Sequence, residues 1–217
     1  MSTTLTNKID FEAIITVTNA NPNGDPLGGN RPRTDYDGFG EISDVCIKRK
    51  IRNRMQDIGH PIFVQSDDRC SLKDRAKDNG LEKLKNADEF FKTACETWLD
   101  VRAFGQVFAF KGFACSSVGV RGPVSIHLAK SADPVDIQSM QITKSVSGDK
   151  KDGQERGSDT MGTKHFVRFG LYTVKGSINV QLAEKTGFTE EDAETVKECL
   201  RTLFVNDSSA ARPDGSM

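Results

Sequence analysis

The chain has 217 residues, 36% of them hydrophobic and 28% charged, with 19 glycines. That apolar share excludes wholesale disorder, and the length suits one large domain or one domain with a sizeable insertion. Thirty Lys and Arg against 31 Asp and Glu leave a formal net charge of −1, so bulk charge predicts no attraction to nucleic acid or membrane, and only local clustering could supply it.

No stretch approaches the ~18 apolar residues of a membrane span, and MSTTLTNKID lacks the basic-then-apolar plan of a signal peptide. The expected location is the cytoplasm, with no membrane partner. Cys46, Cys70, Cys95, Cys115 and Cys199 are odd in number and never form a CxxC pair, which argues for reduced, mostly buried thiols rather than disulfides or a structural zinc site.

Residues 9–17 alternate, with Ile9, Phe11, Ala13, Ile15 and Val17 on one side, and predict a half-buried strand. The Pro-, Gly-, Asn- and Asp-rich stretch to Glu41 predicts a long loop. Ser43 is placed to cap a helix from Asp44 to about Ile58, in which Ile47, Ile51, Met55 and Ile58 line one stripe and Gly59 is the stop. Residues 60–80 read as polar and irregular, and Leu81, Leu84, Phe91, Ala94, Trp98 and Leu99 predict an amphipathic helix. Segment 60–99 is therefore expected to be an inserted subdomain. Strands are predicted at 101–110 and 122–129.

Residues 144–164 hold only Val146 and Met161 as larger apolar groups, too few to offset the entropy of ordering a backbone. A hairpin is predicted over 166–174 and 177–183, joined at Lys175-Gly176. Thr189 should cap a helix with an acidic first turn and Ala193, Val196, Leu200 and Leu203 facing the core. The tail from Asn206 is polar without a clear pattern. The simplest layering is α+β, two helices on one face of an antiparallel sheet, as in ferredoxin-like and RNA-recognition folds.

Five of the seven residues from 48 to 54 are basic: Lys48, Arg49, Lys50, Arg52 and Arg54. On a helix with a buried opposite face they form a rigid row suited to phosphates, although a charge run also fits a solvated, salt-bridged face. The preceding loop adds Arg31 and Arg33, and its glycines, Gly24 among them, permit close backbone approach. Asp25, Asp35 and Asp37 lack the D-x-D-x-D-G spacing of a calcium loop, so no metal site is expected. GSDTMGTK (157–164) lacks the lysine–hydroxyl order of a P-loop, KGFA (111–114) is half of an RNA-recognition signature, and GFGEIS (38–43) lacks the third glycine of a dinucleotide fingerprint. No cofactor is expected. His60, His127 and His165 lie in different segments and no GxSxG or HExxH occurs. His165, beside Lys164 and near Arg168, fits a phosphate contact or the start of a strand equally well.

At NPNGDP (21–26), SDVCIKRKIRNRMQD (43–57), RGPVSIHLAKSADPVDIQS (121–139) and TMGTKHFVRFGLYTVKG (160–176) the sequence resembles a particular family. It is similar to the crRNA-binding backbone subunits of type I CRISPR Cascade complexes, of the RAMP superfamily, closest to the type I-C (Dvulg subtype) group. The resemblance runs in order over nearly the whole chain. Family members continue beyond the point matching Met217, which implies that the last part of their fold lies outside this chain.

The resemblance implies an RNA-recognition-like palm (1–59 and 100–217), helical fingers (60–99) and a long thumb loop (140–166). Copies would stack into a helical filament along crRNA, without catalysis, and present its bases to target DNA beside handle-binding, large and small subunits. Asn23, Gly24, Arg31, Arg33, Lys48, Arg49, Lys50, Arg52, Arg54, Lys164, His165 and Arg168 become the expected RNA contacts. Met161 is the candidate thumb wedge between bases, or else a loop-tip methionine with no contact. A protein that holds any spacer should grip phosphates and leave base edges unread. The competing reading is a metal-dependent ribonuclease that cuts target RNA with Asp35 or Asp37.

Overall fold

Alternation along the first strand produces the expected half-buried β1 (Ile9–Ala20), with Ile15 and Val17 buried and their neighbours exposed. The computed structural model describes residues 3–65, 69–143 and 161–217. After β1 come the short β2 (Gly24–Asp25) and β3 (Arg31–Pro32), β4 (Phe39–Ile42) and α1 (Asp44–Asp57). Next are α2 (Leu72–Asp78), a 3-10 turn (Leu81–Lys83), α3 (Ala87–Thr97), α4 (Leu99–Phe104), β5 (Gly105–Phe108) and β6 (Val118–Arg121). Then follow β7 (Val124–Ile126), β8 (Ala129–Pro134), β9 (Ile137–Thr143), β10 (Met161–Ile178), α5 (Val180–Thr186) and α6 (Glu190–Arg201). The fold is α+β, with a six-stranded sheet in the order β1-β10-β8-β4 and with β7 and β9 also pairing β10. The β10 pairs with β7, β8 and β9, and the β8 pair with β4, are antiparallel.

Several expectations need correction. The stretch 20–41 is not all loop, because Phe39–Ile42 joins the sheet beside β8. Residues 101–104 belong to a helix and only Gly105–Phe108 is strand. Gly105, at φ 82°, ends that helix. A helix, α2, with Ser71 accepting from the Asp74 amide, occupies part of the segment expected to be irregular. No hairpin turns at Lys175-Gly176: β10 runs straight through it, and 180–186 is helical behind an Asn179 cap. Gly176 instead marks a close approach, since a Cβ there would collide with the Phe11 ring.

The chain divides into two compact units. The first comprises Met1–Ala13, Asp44–His127 and Val174–Asn206. Ile47, Ile51 and Met55 of α1 are fully buried, as their spacing predicted, whereas Ile58, the fourth residue of the predicted stripe, is exposed just beyond the helix. A second cluster is aromatic: Phe63, Phe90, Trp98, Phe108 and Phe113 interlock, with the Phe63 ring 4.7 Å from Trp98 and 4.9 Å from Phe108. It unites residues of 60–99 with Val101, Phe108, Phe113, Val118 and Val120. In α6 the buried positions are Asp192, Ala193, Val196 and Cys199, with Leu203 just beyond, while Leu200 is half-buried. Thr189 and Asp192 close a reciprocal capping box.

Two side chains of α4 tie this unit together. Asp100 is 0% exposed. Its carboxylate accepts from the Phe63 amide at 2.7 Å, the Val64 amide at 3.1 Å and Arg52 Nε at 2.9 Å. Arg102 forms a two-pronged pair with buried Asp192 of α6, both contacts at 2.8 Å, and donates to the Cys95 carbonyl. Burial lifts the Cys95 thiol to about 12 and the Cys199 thiol to about 11, so both stay protonated.

The second unit comprises Ile14–Ser43, Leu128–Thr173 and Asp207–Met217. Its tail is anchored on β1 by Thr18 N–Ser216 O and Asn21 N–Ala211 O bonds, both 2.8 Å, which pair donors that a strand edge would leave open. Along β10, Val167 is buried, Arg168 and Phe169 are both exposed, and Gly170 and Tyr172 are buried. The alternation therefore slips by one residue where β10 passes from β9, its partner up to Val167, to β8, its partner from Tyr172. Tyr172 is fully buried against Gly40, where any Cβ would strike its ring, and its hydroxyl has no hydrogen-bond partner.

Two outcomes follow from these buried groups. Asp100→Ala leaves Arg52 and two amides unpaired and should cost about 3–5 kcal/mol. Urea unfolding followed by Trp98, the sole tryptophan, reads this, and an unchanged midpoint contradicts it. Tyr172→Phe removes an unsatisfied hydroxyl and should be neutral or stabilising by up to about 1 kcal/mol at neutral pH. Burial raises the Tyr172 phenol from 10.0 to about 12. Its contribution is thus complete below 10 and lost as pH climbs to about 12, so the wild type should weaken over that window more than the variant. Circular-dichroism melts at neutral and strongly alkaline pH decide it; equal alkaline losses contradict the assignment.

Candidate functional site

The α1 cations, in the first unit, are not the open row that the helical wheel implied. Lys50 is only 5% exposed and its Nζ lies 5.3 Å from the Phe204 ring centroid. Arg52 is held by Asp100 and lies 4.9 Å from the Phe104 ring centroid. Arg54 donates through Nε to Thr202 Oγ1 at 2.8 Å and pairs with Asp57 at 3.4 Å. Arg49 donates to the Val64 carbonyl at 2.6 Å. Lys48 makes a surface pair with Asp44, one turn earlier, at 3.0 Å. The reason is that α1 is buried on its flanks as well as on its apolar stripe. The covering groups, Asp100, Phe104, Thr202 and Phe204, lie far away in sequence. Surface i,i+4 pairs are worth only about 0.3–0.5 kcal/mol, so Lys48 can exchange Asp44 for a phosphate, whereas Arg52 cannot leave Asp100 at comparable cost.

In the second unit, Asn23 is an organiser of its loop. Its Oδ1 accepts from both the amide and the hydroxyl of Ser43 at 2.9 Å, and its carbonyl accepts from the Arg33 amide. Gly24 pairs with Pro32 across β2–β3, and the space a Cβ would take is filled by the Asn30 side chain. The glycine therefore serves internal packing. Arg33 pairs with Asp25 at 3.5 Å while its Nε is buried without a partner. Asp35 accepts from the Asp37 and Phe39 amides and pairs with Lys130 at 2.6 Å. The hydrogen bond from Lys130 holds its carboxyl below the usual range. Asp35 is thus spent on shaping its own loop, and no group of three or more potential metal ligands occurs among the described residues.

The expected thumb loop begins and ends as strand. Residues 140–143 belong to β9 and 161–166 to β10, paired in register from Met161↔Thr143 to Val167↔Ile137. Residues 144–160 lie outside the described residues. One face of this two-stranded ribbon carries Met161, Thr163 and His165 with Gln141 and Ser139; the other carries Lys164 opposite Met140. Met161 is 65% exposed and its sulfur accepts from Gln141 Nε2 at 3.0 Å. Arg31 reaches the first face, donating through Nη1 to Ser139 Oγ at 3.2 Å, and Ser139 Oγ lies 2.8 Å from His165 Nδ1. Arg31, His165 and Met161 are thereby brought onto one face, with Met161 about 13 Å along the strand from His165. Arg168 is exposed where the alternation slips, its amide bonded to the Asp136 carbonyl.

Ser139 was not foreseen. The SMQIT segment (139–143) alternates polar and apolar residues, and that signal could have exposed both the strand and its polar face.

The family model described as CRISPR-associated protein Cas7 matches residues 7–217. The CRISPR-associated protein Cas7 of Haloferax volcanii is 28% identical over 222 residues, covering 92% of this chain and 65% of that relative, so the chain spans less than two thirds of it. A chain of a solved CRISPR RNA-guided surveillance complex, pre-nicking, superimposes with a TM-score of 0.58 at 20% identity, covering 96% of this chain and 77% of that one. A chain of another CRISPR RNA-guided surveillance complex gives 0.53 at 21% identity over 91% and 60%. These structural likenesses establish the fold, and the family match over almost the entire length places the chain in the Cas7 family of CRISPR-associated proteins.

Proposed function

We propose that this chain is a backbone subunit of a type I-C Cascade surveillance complex, which grips crRNA by its sugar–phosphate chain without sequence preference and without catalysis. Copies stack along the guide and leave its bases open to target DNA, beside handle-binding, large and small subunits, in the cytoplasm. The observation that carries this reading is the β9–β10 face that gathers Arg31, His165 and Met161. From Ile137 to Thr143 and from Met161 to Val167 that face bears no carboxylate, so nothing on it repels a phosphate. Met161 is an exposed apolar side chain suited to an unstacked base step.

Lys164, on the opposite face of the ribbon, and Arg168 are further RNA contacts in this reading, with Asn23, Gly24 and Arg33 shaping the loop that carries Arg31. In the first unit, Lys48 and Arg49 are the phosphate contacts of α1, while Lys50, Arg52 and Arg54 hold that helix in place. In this reading 60–99 are the fingers, 140–166 the thumb and the remainder a ferredoxin-like palm. Among the described residues no helix is long and apolar enough to cross a membrane.

Arg31→Ala with His165→Ala should weaken binding of single-stranded RNA evenly across unrelated sequences and flatten the log–log salt slope by about 0.7 for each phosphate no longer neutralised. Fluorescence anisotropy over a salt series measures both. Wild-type affinity in the double variant, or a loss confined to one sequence, contradicts the reading. Complementary RNA should remain uncut when the RNA-loaded protein is incubated with magnesium; cleavage abolished by Asp35→Ala would support the ribonuclease instead.

A further inference from the structure

Arg31, Ser139 and His165 are joined through a single hydroxyl. Arg31 Nη1 stands 3.2 Å from Ser139 Oγ, and that oxygen stands 2.8 Å from His165 Nδ1. A guanidinium has only donors, so Ser139 Oγ must accept from Arg31. The hydroxyl keeps its proton and a second lone pair, so it can either donate to His165 Nδ1 or accept from it. In the tautomer where Nδ1 accepts the Ser139 proton, Nε2 carries the hydrogen, directed away from Ser139. The three residues come from β3, β9 and β10, three segments that the fold of the second unit places side by side.

We propose that Ser139 is a positioning residue for phosphodiester recognition: it holds Arg31 and His165 so that a remaining guanidinium N–H and His165 Nε2–H donate together to the non-bridging oxygens of one phosphate. This rests on the RNA-gripping role proposed above for Arg31 and His165. An exposed arginine ordinarily loses rotamer freedom when it captures an anion, and an unanchored histidine presents either nitrogen. Ser139 removes both costs before the ligand arrives. Ser139 is engaged by both Arg31 and His165 inside the triad, so its effect on RNA passes through its two neighbours.

The test uses the full chain and a fluorescein-labelled single-stranded RNA of arbitrary sequence. Ser139 is exposed, so Ser139→Ala should fold as the wild type, with an unchanged circular-dichroism spectrum. It should bind RNA about three- to tenfold more weakly, the range expected for removal of one hydrogen bond. Ser139→Thr, which keeps the hydroxyl, should restore affinity. Ser139→Ala should cost less in the His165→Ala background than in the wild type, because the part of its effect that passes through His165 is already lost there. At mildly alkaline pH, nitrogen NMR of the His165 ring should find the Nε2–H tautomer in the wild type and a mixture in Ser139→Ala. Wild-type affinity in Ser139→Ala, full additivity with His165→Ala, or a mixed tautomer in the wild type would overturn the positioning role. If Arg31→Ala with His165→Ala also binds as the wild type, the phosphate grip itself fails; if that variant binds weakly while Ser139→Ala does not, only the positioning role fails.

Discussion

A carboxylate sealed from water sets the terms of the first unit. Asp100 would be prohibitively costly in an apolar interior unless its charge were compensated, and it is compensated three times: by Arg52 and by the amides of Phe63 and Val64. Those contacts tie α4 to α1 and to the irregular segment that leads from α1 into the aromatic cluster. Arg52 is thereby an internal counter-ion. Lys50 over Phe204 and Arg54 on Thr202 perform similar duties toward the chain that follows α6. A basic run that looks uniform in sequence divides by energetics between Arg52, tied to a buried carboxylate, and Lys48, held by an i,i+4 pair one turn away.

The second unit solves a different problem. A two-stranded ribbon offers little core, so its two faces stay largely open to solvent. On the β9–β10 ribbon one of these faces is polar, free of carboxylates and reached by an arginine from β3. Asp35 and Asn23 keep the loop before α1 in shape with backbone hydrogen bonds, so Arg31 projects from an ordered support. The cost of order is thus met by uncharged amides and by two ion pairs, Asp35 with Lys130 of β8 and Arg33 with Asp25.

Local periodicity was enough to read α1 to within a residue and the starts of β1 and α6, since each has one buried face, although β1 runs three residues past the predicted end. Where two segments of similar composition differ only in their partners, sequence pattern failed. Residues 101–104 look strand-like from their β-branched and aromatic content, yet tertiary contacts of Asp100 and Arg102 accompany a helix there. Lys175-Gly176 looks like a turn, yet Gly176 is there to admit Phe11. The candidate site was partly legible: Arg31, His165 and Met161 stand out in the sequence, but their common face depends on the β9–β10 register, and the burial of Lys50 and Arg52 depends on residues many positions away. Ser139 carried no chemical signal of its own until its neighbours were in place.

The central claim is that nucleic acid is held by the ribbon face of the second unit and, on α1, only by Lys48 and Arg49, while the deeper α1 cations hold protein. Photo-crosslinking of the RNA-loaded chain followed by peptide mass spectrometry tests it directly. RNA adducts are expected on peptides spanning 28–33, 137–143 and 161–168, and adducts on α1 should stop at Arg49. Adducts concentrated on Lys50, Arg52 and Arg54, with the ribbon peptides unmodified, would contradict the account.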